Sequence, residues 1–305
     1  MKAISVEKIV QQFNLEVLAG GESLKRKITM NKVHRPGLEF IGFFDFSPTE
    51  RVQVLGQTEI TYLKQLDVDE RKLRIGNIVN YHPPCFIVTR DQQELTYLEQ
   101  YCSEENIPLL RTKEHTNDFI ARVDAYLAKS LAREIAVPGV CLNVFGIGIL
   151  LRGESGIGKS ETAYTLIGRG HRLVADDIVV LRKLSHRTIL GTHNEMNKEF
   201  LALRSVGLLN IVRVYGSKSF QDETRIALDI ELTKWEKDEL NNELELRTKY
   251  TNYMGVEIPH IKIQLQPGRD VAGLIEAAAN SWYLKQQGYS AAEDFINRTE
   301  NYTDK

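Results

Sequence analysis

The stretch Gly153-Glu154-Ser155-Gly156-Ile157-Gly158-Lys159-Ser160 carries chemistry that the rest of the chain must position. Its order of Gly, four residues, Gly-Lys and Ser fits a phosphate-binding loop. Gly156 and Gly158 let the backbone turn so that successive N–H groups converge on phosphate oxygens. Lys159 brings a point charge to the β- and γ-phosphates of a nucleotide, and the Ser160 hydroxyl can ligate Mg²⁺. A helix beginning near Ser160 aims its positive end at the same anion. Binding of nucleotide phosphate is therefore expected along Gly153 to Ser160.

A second acidic element follows. Gly170-His171-Arg172-Leu173-Val174-Ala175-Asp176-Asp177 reads as a strand ending in two carboxylates. Beside a phosphate loop such a pair can hold Mg²⁺ or its water, or take a proton from an attacking hydroxyl. Away from one it would be a solvated turn. His171 reads as a structural histidine at a strand start. Arg269, in Gln266-Pro267-Gly268-Arg269, is either an anion contact or an ordinary exposed arginine, and spacing does not decide between them.

These groups need rigid carriers. Ile149-Leu150-Leu151 reads as a buried strand entering the loop, and Ser160 to Gly168 as the helix leaving it. Ile226 to Leu232 and Ile258 to Leu265 read as further strands, and Val271 to Gln287 as an alanine-rich helix. A last short helix starts at Ser290, and the charge-rich stretch from Lys234 to Thr248 reads as a solvated helix or loop. In the first half, helices are expected after Ser5, over Thr58–Leu66 and over Gln93–Glu104. Strands are expected at Leu15–Ala19, Ile28–Val33, Arg51–Gly56, Cys85–Thr89 and Pro108–Arg111. This alternation predicts a small N-terminal α/β domain, 1–117. Apolar residues at Phe119, Ile120, Val123, Tyr126, Leu127 and Leu131 predict a long connecting helix over 118–136. Val137-Pro138-Gly139-Val140 breaks it, and the loop-bearing domain occupies 137–305.

Composition narrows the class. A length of 305 residues suits two domains, and a net charge of −2 gives no drive towards nucleic acid or anionic membrane. Cys85, Cys102 and Cys141 are widely spaced, as reduced thiols are, with no metal-ligand motif. No apolar run approaches the roughly 20 residues that span a bilayer. With no signal-peptide core at the N-terminus, a cytoplasmic protein is expected.

Gly153 to Ala163, followed by Arg169 to Asp177, closely resembles the core of the HPr kinase/phosphorylase family. The resemblance extends over nearly the whole chain, through Leu15–Gly20, Arg35–Glu39, Ile87–Asp91, Ile258-Pro259, Pro267–Arg269 and Gly288-Tyr289. It implies an α/β fold of two domains, a smaller N-terminal one and a C-terminal P-loop kinase domain. It further implies an ATP- and Mg²⁺-dependent enzyme that phosphorylates a seryl hydroxyl of the phosphocarrier HPr. In the reverse direction inorganic phosphate attacks phosphoseryl-HPr and pyrophosphate leaves. Hexamers that act in carbon catabolite repression in the bacterial cytoplasm are implied as well.

Carried over by position, Lys159 holds the β-phosphate, Ser160 ligates Mg²⁺, and Asp177 accepts the seryl proton with Asp176 beside it. Arg269 falls in the segment associated with dephosphorylation. Several positions depart from the family. Its catalytic histidine is Pro138 here, a Mg²⁺-ligating glutamate is Ala202, and a catalytic arginine is Glu243. Ser281 and Tyr283 replace asparagine and arginine, and Glu154 replaces the usual aspartate. Loss of a metal carboxylate weakens Mg²⁺ binding, and Pro138 exchanges no proton. Glu243 repels phosphate where an arginine would hold it. The reverse reaction, which must bind inorganic phosphate as well, is expected to suffer most. Three readings compete: a working HPr kinase, a catalytically silent nucleotide-binding regulatory partner, and a P-loop kinase of another substrate.

Overall fold

A computed structural model describes residues 2–45, 47–235 and 249–303, and the chain divides into two compact units between Ala132 and Arg133. In the first unit the elements run β1 (Ile4–Ser5), α1 (Val6–Phe13), β2 (Glu16–Ala19), β3 (Lys27–Ile28), β4 (Gln53–Leu55), α2 (Gln57–Gln65), α3 (Val68–Val79), β5 (Phe86–Val88), α4 (Thr96–Glu104), β6 (Leu109–Arg111) and α5 (Thr116–Ser130). Strands β4, β5 and β6 are parallel, with β2 antiparallel on the β6 edge. Phe86, Ile87 and Val88 are all buried, as residues of a parallel strand covered on both faces must be. Helices α2, α3 and α4 cover one face through Ile60, Leu63, Ile78 and Leu98. Helices α1 and α5 cover the other through Ile9, Phe119, Val123 and Leu127.

Glu39 anchors a buried polar corner of this unit. Its carboxylate accepts from Ser47 Oγ at 2.6 Å and from the Gly37 N–H at 2.7 Å, and lies 2.7 Å from His34 Nε2. Burial alone would raise its pKa, but the hydrogen bonds from Ser47, Gly37 and His34 outweigh that and bring it down to about 2. A depressed carboxylate pKa contributes stability above the unfolded value that is lost as pH falls through the folded one. Glu39→Gln is therefore expected to cost on the order of 3 kcal/mol at pH 7. The penalty should shrink between about pH 4.5 and 2, as thermal unfolding at stepped pH will show.

The second unit runs β7 (Arg133–Pro138), β8 (Val140–Val144), β9 (Ile147–Gly153), α6 (Lys159–Gly168), β10 (Arg172–Ala175), β11 (Ile178–Ser185), β12 (Thr188–Thr192), β13 (Phe200–Leu203), β14 (Gly207–Asn210), α7 (Ile211–Tyr215), β15 (Glu223–Lys234), β16 (Lys249–Tyr253), β17 (Val256–Leu265), α8 (Val271–Gln286) and α9 (Ala291–Thr303). The long strand β15 is its spine. It pairs in parallel with β9 and β17 and, near its start, antiparallel with β12. Beyond β12 lie β11 and β7; beyond β9 lie β8 and β10. Helices α6 and α8 cover one face over Ile149, Leu151, Leu228 and Ile230. A second core around Leu150, Val179, Leu181 and Ile258 fills the other.

The connecting helix expected over 118–136 is shorter. It ends as α5 at Ser130 inside the first unit, and Arg133–Pro138 is instead edge strand β7, paired antiparallel with β11 from Lys183 to Ile178. Leu131 and Ile135 continue the helical spacing, but the Ile135–Val137 alternation serves a strand equally well. Pro138 stands at the last position of an edge strand, where its missing N–H is tolerated.

All three cysteines are free and buried. Burial pushes their thiols up, Cys102 to about 12, so none is a thiolate at neutral pH.

Candidate active site

Strand β9 delivers the chain to Gly153, and helix α6 begins at Lys159, so the loop spans a strand end and a helix start as the sequence pattern predicts. Gly158 precedes the helix at φ +102° with no side chain capping it, which leaves the first-turn N–H groups directed into the loop. Lys159 Nζ folds back and donates to the carbonyls of Gly153 and Glu154, both at 2.9 Å. Ile157 points the other way and packs against the α6/α8 core. The Glu154 side chain pairs with Lys234 at 2.7 Å, an exposed contact of little energetic weight.

Lys159, Ser160, Asp176 and Asp177 share one cleft of ≈ 450 Å³ with Ser155, Gly156 and Gly158. Asp176 is buried. It accepts from Ser160 Oγ at 3.0 Å and from the Ala202 N–H at 2.9 Å. Burial raises its carboxyl above the ordinary range, and the Ala202 and Ser160 hydrogen bonds offset only part of that rise. Asp177 stands next to it, exposed, with backbone φ +67°. Aspartate is among the few residues that tolerate this left-handed region. The turn is fastened by the Gly139 N–H, which donates to Asp177 O at 3.0 Å, and by the pairing of Ile178 with Pro138. One carboxylate is thus set to meet a hard cation beside a hydroxyl, and the other is presented to solvent.

Arg269 is exposed in the turn between β17 and α8 and does not line this cleft. Glu243 lies outside the described residues. Ala202, on β13, turns its N–H to Asp176 and has no side-chain oxygen to offer a metal. His171 is buried, its Nε2 2.8 Å from Glu276, and takes no part in the cleft.

Arg204, at the turn between β13 and β14, lines the cleft although sequence reasoning gave it no role. A methyl group built on Gly156, which sits at φ +77°, would fall 2.7 Å from its Nη2. The guanidinium therefore lies against the glycine turn, where phosphate is expected. Its signal in the sequence was only a cation two residues beyond the Ala202 position. Arg204→Ala is expected to weaken phosphate binding about tenfold, since a charge-assisted hydrogen bond is worth roughly 1.5–3 kcal/mol. Titration with ATP or pyrophosphate reads this directly.

Comparison with known proteins adds lineage to this geometry. Residues 4–127 match the family described as HPr Serine kinase N terminus, and residues 129–299 match HPr Serine kinase C-terminal domain. The chain is 72% identical over 300 residues to a protein of Oceanobacillus iheyensis named "Putative HPr kinase/phosphorylase 2", with 98% of each covered. It is 40% identical over 294 residues to an HPr kinase/phosphorylase of Caldanaerobacter subterraneus subsp. tengcongensis, with 96% of each covered. Among solved structures, the Hpr(Ser) kinase/phosphatase from Coxiella burnetii overlays 53% of this chain and 98% of its own, at 28% identity and a TM-score of 0.48.

Proposed function

The chain belongs to the HPr kinase/phosphorylase family, and from that premise we propose that it is an ATP-dependent kinase of a seryl hydroxyl on HPr, with a weakened reverse reaction. The observation that carries this reading is the meeting of Lys159, Ser160, Asp176 and Asp177 in one cleft on an intact loop. Lys159 and the loop N–H groups hold the ATP phosphates in line with the acceptor. Asp177, exposed beside them, takes the seryl proton as the seryl oxygen forms its bond to the γ-phosphorus and ADP leaves. Ser160 Oγ and Asp176 Oδ1 are two adjacent hard oxygens, a donor set that fits Mg²⁺. When bound, that ion would neutralise charge on the β- and γ-phosphate oxygens.

The departures from the family weigh on the reverse direction. Position 202 gives Asp176 a backbone N–H but no side-chain oxygen, and Pro138, paired with Ile178 next to Asp177, offers that base no proton partner. Phosphorolysis of phosphoseryl-HPr by inorganic phosphate is accordingly expected to be slow. The same two positions support the alternative of a silent nucleotide-binding regulatory partner.

Transfer of labelled γ-phosphate from ATP-Mg²⁺ to HPr tests the proposal. Label on the seryl residue supports it. Saturable ATP binding with no label on HPr would instead support the regulatory partner, and label on some other acceptor would redirect the search for a substrate. A hexamer acting in the cytoplasm is part of the same proposal, and light scattering on the purified protein tests its size. Among the described residues, no helix is long and apolar enough to cross a membrane.

A further inference from the structure

On the sheet face opposite α6 and α8, Asp229 is fully buried in the middle of β15 and collects side chains from three other strands. Arg152 of β9 docks on it as a fork, Nε to Oδ1 and Nη2 to Oδ2, both at 2.6 Å. Thr251 and Tyr253 of β16 donate at 2.6 and 3.3 Å, and His260 Nδ1 of β17 lies 2.9 Å away. Burial would raise the Asp229 carboxyl, but the bonds from Arg152 and Thr251 hold it below its ordinary range, so this is an ionised group inside a core.

A buried ion pair is a poor source of stability, because desolvation of both charges offsets their attraction. Its location suggests another use. Arg152 is the residue immediately before Gly153, whose carbonyl receives Lys159 Nζ. Its aliphatic stem also runs beneath Gly139: a methyl built there would stand 3.6 Å from Arg152 Cγ and 2.7 Å from Leu151 O. The Gly139 N–H in turn fastens the Asp177 turn. Arg152 therefore adjoins both halves of the cleft: it directly precedes Gly153 of the phosphate loop, and its stem lies alongside Gly139, which fastens the Asp177 turn.

We propose that Arg152, clamped by Asp229, is a positioning residue that sets the phosphate loop and the Asp177 carboxylate at the spacing phosphoryl transfer requires. The proposal rests on the kinase reading for its catalytic arm but not for its binding arm. Arg152→Met keeps the stem and removes the fork; Arg152→Lys keeps the charge and loses the bidentate geometry. In the full-length chain, at a temperature where parent and variants are all folded, Arg152→Met is expected to lower kcat for HPr phosphorylation by tenfold or more. ATP-Mg²⁺ affinity should fall about fivefold, and Arg152→Lys should recover part of each. Asp229→Asn should show the same pattern, and the Arg152→Met/Asp229→Asn double variant should be no worse than the more impaired single variant, because the two act as one unit.

Kcat and ATP affinity both within twofold of the parent would overturn the assignment. So would losses that simply follow the folded fraction as temperature is varied, which would mark the pair as structural. If the parent itself transfers no phosphate, the kinase reading has failed independently. The fivefold change in ATP affinity then decides this one alone.

Discussion

Asp177→Asn is expected to lower kcat for HPr phosphorylation by roughly 10²–10⁴-fold, while ATP affinity stays within a few-fold of the parent. Asparagine matches aspartate in size and is as tolerant of the left-handed backbone that residue 177 adopts at φ +67°. The turn, its hydrogen bond from Gly139 and its pairing beside Pro138 all use backbone atoms, so they survive the change. What disappears is the ability to accept a proton. A steady-state transfer assay run beside an ATP titration separates the two effects. If the variant retained a tenth of the parental kcat, the base would have to be sought elsewhere in the cleft.

Lys159→Ala acts on the other half of the site. On the proposed reading its ammonium meets the β- and γ-phosphates, and without it ATP affinity is expected to drop by about 10²-fold, a loss of roughly 3 kcal/mol. Transfer should vanish with it at ordinary ATP concentrations. The bonds from Nζ to the Gly153 and Glu154 carbonyls are also lost, but both lie at a wet loop, so the unfolding midpoint should scarcely move. Arginine is not a conservative substitute, because its planar fork cannot occupy the place of a compact ammonium. Calorimetric titration of ATP into both variants distinguishes the two failures. The asparagine variant should bind and not turn over, and the alanine variant should not bind. Tight ATP binding by the alanine variant would remove Lys159 from the phosphate site.

The loop was legible because its chemistry is local: strand, glycine turn, lysine and helix lie within one short run, and the structure reproduces that run as β9, loop and α6. The Asp176–Asp177 pair was legible as a strand end for the same reason. Elements governed by distant partners were read less well. Helix α3, Val68–Val79, carries Asp69, Glu70, Arg71 and Lys72 in one run, which dilutes the apolar spacing of Ile75, Ile78 and Val79 on its buried side. Its N-cap is Asp67, which accepts from the Glu70 N–H. The strand expected over Ile28–Val33 shrinks to Lys27–Ile28, because only the two residues of β1 are opposite it. Asp229 and Arg204 show the same limit at the level of function. Asp229 sits among the alternating apolar residues of β15 and reads there as an outward-facing acid. Only the parallel register of β9, β15 and β17 brings Arg152 and His260 to it. Arg204 meets Gly156 across a cleft that no local pattern encodes.

The strand that carries the phosphate loop has two neighbours of very different kinds. Its hairpin with β8 closes across Val144 and Ile147, whereas its parallel pairing joins Gly148 to Ile226 and Gly153 to Leu232. Such distant pairing must close a long stretch of chain before it is rewarded, and it is slow for that reason. The loop is therefore expected to gain its final shape only once β15 has docked on β9. A nucleotide that recognises that shape has little to bind beforehand, so ATP should leave the refolding rate of the chain nearly unchanged and slow its unfolding. In a cell that would make nucleotide supply a control on how long each molecule lasts, separate from how fast it works.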